Sequence, residues 1–95
     1  RRFYMHGIGH WIGLDVHDVG GRFQNREHRL LEANMCTTVE PGLYINAADD
    51  VPLEFHGVGI RIEDNIQVTA TGADVYTAAT PKEIDDIEAL VRQTA

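Results

Sequence analysis

The sequence predicts an α+β protein in which antiparallel strands are followed by one C-terminal helix. Three observations predict it. Residues 58–68 (VGIRIEDNIQV) alternate apolar and polar, and a turn (Thr71-Gly72-Ala73-Asp74) leads into a second β-rich stretch. Residues 80–93 carry helix-start signals and an apolar repeat at helical spacing. The first 18 residues are too rich in glycine for a helix, each glycine costing about 1 kcal/mol there.

Taken in order, residues 1–18 read as extended segments with a bend near Gly13, with Ile8, Trp11, Ile12, Leu14 and Val16 between the glycines. Residues 19–34 open on Gly20-Gly21 and stay polar, as an excursion or loop does. Residues 35–45 (MCTTVEPGLYI) have strand composition interrupted at Pro41-Gly42. The residue before a proline is held extended, so Glu40 belongs at a strand end or bulge. Residues 46–56 read as a surface loop. Val58, Ile60, Ile62 and Ile66 share one strand face, and Gly59, Arg61, Glu63 and Asn65 the other; 58–68 and 74–78 form a hairpin. Thr80 is the expected N-cap, Pro81 the first helical residue and Glu83 the third. Ile84, Ile87, Leu90 and Val91 then give a helix over 81–93 with one face on the sheet.

Composition narrows the function. A chain of 95 residues is one domain or part of a larger one. Eight basic against fifteen acidic residues, a net charge of −7, argue against nucleic acid or an anionic membrane as partner. No run approaches the roughly 20 apolar residues of a membrane span. The single Cys36 excludes an intrachain disulfide framework and reads as a buried, inert thiol. The start, RRFYMHG, has no signal-peptide pattern and reads as the middle of a longer chain. The expected compartment is the cytoplasm.

Three segments concentrate the chemistry: HGIGHWIGLDVHD (6–18), VEPG (39–42) and RIED (61–64). Arg61 and Glu63 lie two apart and share a strand face. Alone they read first as an ordinary solvated pair, and Gly59 beside them and apolar flanks raise the case for a site without reversing that order. Glu40, at a strand end before a rigid turn, could ligate a metal or act as a general base, or be a surface carboxylate. One histidine here would be an ordinary hydrogen-bonded group. Three of them, His6, His10 and His17, within twelve positions favour a site, although their spacing matches no zinc motif. His10 and His17 cannot share a face of one flat strand, since they are seven apart; a bend at Gly13 could bring them to one cavity. Trp11 is core or pocket wall. His28 and His56 lie in polar stretches outside the site.

The segments MHGIGHWIGLDVHDVGG, TTVEPGLYI and GVGIRIEDNIQVTATG, in that order, closely resemble the Xaa-Pro aminopeptidase (aminopeptidase P) family, and PKEIDDIEAL is similar to its terminal helix. This is the pita-bread metallopeptidase group that also holds prolidase, methionine aminopeptidase and creatinase. The resemblance implies that residues 1–95 form the C-terminal half of a pita-bread catalytic domain. Its curved antiparallel sheet would carry the helix on the convex face. It implies that His10 ligates one metal, Glu40 is a ligand beside a bridging water, and Glu63 bridges two metals. His17 would contact the substrate carbonyl, His6 would line the pocket on the proline side, and Arg61 would hold in place a carboxylate standing behind the ligands. The implied cofactors are two divalent ions, manganese first, with cobalt or zinc as substitutes. The implied substrate is a peptide with proline at its second position. Two aspartate ligands of the family lie earlier in the catalytic domain. Asp15, Asp18, Asp49, Asp50, Asp64 and Asp74 all fall elsewhere in the pattern, so three of five ligands are expected here. The alternatives are a prolidase acting on Xaa-Pro dipeptides and a non-catalytic remnant serving as a binding or assembly module. Strand edges exposed in half a fold predict a homo-oligomer.

Overall fold

A computed structural model of the chain describes residues 2–94. Seven short strands and one helix follow in order: β1 (Phe23–Gln24), β2 (Glu27–His28), β3 (Cys36–Val39), β4 (Gly42–Tyr44), β5 (Gly59–Arg61), β6 (Asp64–Val68), β7 (Ala73–Val75) and α1 (Ile84–Thr94). A single 3₁₀ turn, Leu53–Phe55, lies in the 46–56 loop. Every strand pair is antiparallel.

The central feature is one register carried across a break. Val39 stands opposite Asp64, and Gly42 stands opposite Arg61. Two residues remain on each side between those pairs, so Glu40 faces Glu63 and Pro41 faces Ile62. The expected strand 58–68 is therefore two strands, β5 and β6, meeting where Pro41 interrupts the partner. Proline has no N–H to give to the ladder, and Ile62 N–H still donates to the Pro41 carbonyl (3.2 Å).

β6 lies between β3 and β7, the latter joined by the expected hairpin. On the free side of β3 runs the glycine-rich segment 8–12. It is tied by Ile12 N–H to Cys36 O (2.9 Å), Thr38 N–H to His10 O (2.9 Å) and Glu40 N–H to Ile8 O (2.6 Å). Gly9 permits this approach: a Cβ there would lie 2.0 Å from the Thr38 carbonyl oxygen. The chain then bends at residues 13–17 and returns, with Asp18 N–H donating to Trp11 O (3.1 Å).

Two expectations are corrected. The 19–34 excursion contains the hairpin β1–β2, turned by Asn25 (φ 54°) and Arg26 (φ 69°). Two consecutive left-handed residues are what a tight two-residue turn needs, but no glycine advertises it. The helix starts at Ile84 and not at Pro81, and among the described residues no strand lies against it. Lys82 explains the late start. Its ammonium donates to the carbonyls of Thr77 (3.0 Å) and Thr80 (3.1 Å) and pairs with Asp64 (2.9 Å), which holds 77–82 as a turn.

Among the described residues no hydrophobic residue is buried; only Thr38 and Glu40 are. The even face of β5 lies bare, with Ile60 and Ile62 exposed, and Cys36 is half-buried instead of buried. The Cα radius of gyration is 17.1 Å, against about 13 Å for a compact 100-residue domain. The polar centre is thus better ordered by contacts than any apolar core.

Candidate metal centre

The break in the ladder builds the site. Glu40 leaves β3 at the point where Pro41 holds it extended, and Glu63 leaves the β5–β6 junction directly opposite. His10 reaches the same point from segment 8–12. One donor atom from each of His10, Glu40 and Glu63 lies within 4.8 Å of the others. Nε2 of His10 is 3.4 Å from Oε1 of Glu40.

Two of the three candidate ligands, Glu40 and His10, are held by a second contact. Glu40 is 8 % exposed and accepts a hydrogen bond on Oε1 from Thr38 Oγ1 (2.9 Å). Thr38 Oγ1 in turn accepts from the His10 backbone N–H (2.9 Å), so one hydroxyl links two of the three candidate ligands. His10 Nδ1 lies 2.9 Å from the Trp11 carbonyl. A carbonyl only accepts, so Nδ1 carries the proton and Nε2 keeps its lone pair toward the cluster. Two carboxylates facing each other repel until a cation stands between them. The donor set of one imidazole and two carboxylates, without thiolate, fits a fairly hard divalent ion.

Arg61 flanks the cluster, with Nη1 3.6 Å from Oε2 of Glu40. Its Nε donates to the Tyr44 hydroxyl (2.8 Å). That phenol, with the Glu40 and Glu63 carboxylates beyond it, holds the guanidinium even more firmly protonated than usual. Tyr44 Oη lies 2.8 Å from His6 Nε2, and His6 Nδ1 lies 2.7 Å from the Gly7 carbonyl. The same acceptor argument puts the His6 proton on Nδ1, so the Tyr44 hydroxyl donates to Nε2. The carboxylate expected to be held by Arg61 is therefore the candidate ligand Glu40 itself. Its hydrogen bond goes to a tyrosine that the sequence had hidden among hydrophobic strand residues.

The bend at 13–17 sets the His17 ring edge-on against His10, with centroids 4.3 Å apart. An open cleft of about 340 Å³ results, lined by His6, His10, His17, Glu40, Arg61 and Arg22. All six residues singled out in the sequence thus gather at one place. Thr38, Tyr44 and Arg22 were missed: the first two read as ordinary strand residues and the third as part of a polar loop. Trp11 borders a neighbouring, mainly apolar hollow with Leu31 and Ile66, which shares His10 and Arg22 with the cleft. His28 stacks on Phe23, and His56 donates to the Val51 carbonyl, both outside the site.

Metallopeptidase family M24 matches residues 1–70. The chain belongs to this family. Members of M24 use divalent metals, in keeping with the donors gathered here. The chain is 57% identical over 91 residues to an Xaa-Pro aminopeptidase of Haemophilus influenzae, covering 96% of the chain and 21% of that protein. It superimposes with a TM-score of 0.86 on proline aminopeptidase P II from Yersinia pestis, at 54% identity, covering 96% of this chain and 21% of that one. A zinc-substituted Escherichia coli aminopeptidase P in complex with product gives a TM-score of 0.87 at 52% identity, over 98% of this chain and 21% of that one. The architecture is that of half a pita-bread domain, antiparallel strands with a C-terminal helix. The chain spans about a fifth of the length of these relatives. No helix among the described residues is long and apolar enough to cross a membrane.

Proposed function

We propose that the intact protein hydrolyses the bond between an N-terminal residue and a proline in second position. In this reading residues 1–95 are the C-terminal half of its catalytic domain. The observation that carries it is the convergence of His10, Glu40 and Glu63 within 4.8 Å. These three would hold two divalent ions together with two aspartates from the other half. Manganese is our first assignment, with cobalt or zinc as substitutes, because the donors are hard oxygens and one imidazole. We place the enzyme in the cytoplasm, where a lone free thiol such as Cys36 fits.

Bound metal supplies an acidified water and polarises the scissile carbonyl. The chain's own residues do the rest. An Xaa-Pro bond has no N–H, so recognition cannot rely on backbone pairing at that nitrogen. His6, with both ring nitrogens engaged, offers its ring to the proline side. His17 stands beside His10 to meet the carbonyl oxygen as charge develops there. Glu40, held at Oε1 by Thr38 and flanked at Oε2 by Arg61, takes up a proton and delivers it to the proline nitrogen. Arg61 keeps Glu40 oriented.

The test is turnover of an Xaa-Pro tripeptide by the intact protein with Mn²⁺. Cleavage is expected, abolished by a chelator and lost in Glu63→Gln. Metal-independent cleavage would overturn the reading. The 95-residue chain alone, with three of five ligands, is expected to hydrolyse little. The bare strand edge of β7 and the exposed apolar side chains support self-association of the chain; a clean monomer on size exclusion would count against it.

A further inference from the structure

Arg22 precedes β1, outside the motifs that mark the site. Its guanidinium donates to the Gly9 carbonyl. It also stands over Gly7, where an added Cβ would come within 3.1 Å of both terminal nitrogens. It lines the same cleft as His10, Glu40 and Arg61. Among the described residues no carboxylate lies within ion-pair distance of it. The cleft's own buried carboxylate, Glu40, is engaged by Arg61 and Thr38.

The cleft thus presents one carboxylate and two guanidinium groups. Glu40 is paired with Arg61, with Glu63 near it in the candidate metal cluster, and Arg22 is the cleft cation that no carboxylate among the described residues compensates. A short peptide is a dipole, with an ammonium at one end and a carboxylate at the other. Its ammonium is repelled by Arg22 and drawn to the carboxylates, while its carboxylate is drawn to Arg22. One bond to Gly9 leaves several guanidinium N–H donors in a planar fork, the geometry that receives a carboxylate. At about 340 Å³ the cleft is at the small end of ligand pockets, a size suited to a short peptide.

We infer that Arg22 binds the free C-terminal carboxylate of a short peptide whose scissile bond lies at His10, Glu40 and Glu63. This rests on the peptidase reading and adds a preference for short peptides with a free terminus. Arg22 is a specificity residue in this assignment.

The intact Mn²⁺-loaded protein is given Ala-Pro-Ala and its C-terminal amide. The acid is expected to exceed the amide about tenfold in kcat/KM, through KM, the size of one partly exposed charge-assisted contact. Arg22→Met brings the ratio near one, and Arg22→Lys retains part of it. A wild-type ratio near one, or an Arg22→Met variant that keeps the wild-type ratio, overturns the inference. Calorimetric binding of the same two peptides to the metal-free protein reads the same ratio without catalysis. If neither peptide is cleaved, the peptidase reading fails, and binding alone decides Arg22.

Discussion

The two best-marked regions of this chain behave in opposite ways. The centre at His10, Glu40 and Glu63 is assembled from three segments far apart in sequence, yet its parts are cross-braced: Thr38 joins His10 to Glu40, and Arg61 joins Glu40 to Tyr44. The C-terminal helix is assembled from one continuous segment with the clearest local signals in the chain, yet among the described residues it packs on no strand. Ile84 is 74 % exposed and Leu90 50 %. Hydrogen bonds and ion pairs are short-range, and those bracing His10 and Glu40 find both partners within this chain. An apolar helix face needs a broad opposing surface, and a chain spanning about a fifth of its relatives' length does not provide one.

The largest effect is expected from Gly9. A Cβ at 2.0 Å from the Thr38 oxygen must push segment 8–12 off β3. Gly9→Ala in the intact protein should move His10 away from Glu40 and lower kcat by about a hundredfold. Steady-state kinetics check this, and an unchanged kcat would mean that the pairing of segment 8–12 does not position the centre.

Next comes Thr38→Val, which keeps the shape of a 3 % exposed side chain but removes the hydroxyl. The His10 N–H and one Glu40 oxygen lose their partner. Metal affinity should fall about tenfold to a hundredfold and stability by about 1–3 kcal/mol. Metal titration and urea unfolding measure the two, and Thr38→Ser should restore most of both.

The helix sharpens the comparison from the other side. Ile87→Ser in the 95-residue chain should change stability by less than about 0.5 kcal/mol, since it replaces an exposed residue. The same change in the intact protein should cost about 1–3 kcal/mol if the missing part covers that face. Thermal unfolding of both species by circular dichroism distinguishes the cases.

The smallest effects are electrostatic. The Thr77 hydroxyl first, then Lys82, holds the Asp64 carboxyl below its ordinary 3.8. A depressed folded value means that the stabilisation is whole above the unfolded value and fades as pH falls through the folded one. Carbon-detected NMR titration should find Asp64 titrating below 3.8 and Lys82→Met raising it only part of the way, because Thr77 remains. At the N-terminal end, the Arg2 hydrogen bond lowers Asp50 to about 2. As this pair is exposed, added salt should bring Asp50 back toward its ordinary value.

Much of the site was legible because its residues sit in short, chemically loaded segments. Glu40 at a strand end followed from Pro41, whereas the one strand expected to carry Arg61 and Glu63 together is broken after Arg61. His10 and His17 needed a bend at Gly13, and the bend is there. Thr38 and Tyr44 were not legible, because a threonine and a tyrosine in a strand look the same whether they brace a carboxylate or fill a sheet. Arg22 was hidden in a loop whose hairpin turns on Asn25 and Arg26 without a glycine.

By itself, then, the sequence determined element types, the order of the motifs and the donor chemistry, since these depend on local periodicity and residue type. Only the tertiary structure decided that Glu40 faces Glu63, that one threonine hydroxyl serves two ligands, and that the helix stands apart from the sheet. Those outcomes depend on register and on which surfaces meet, and neither is encoded in any single segment.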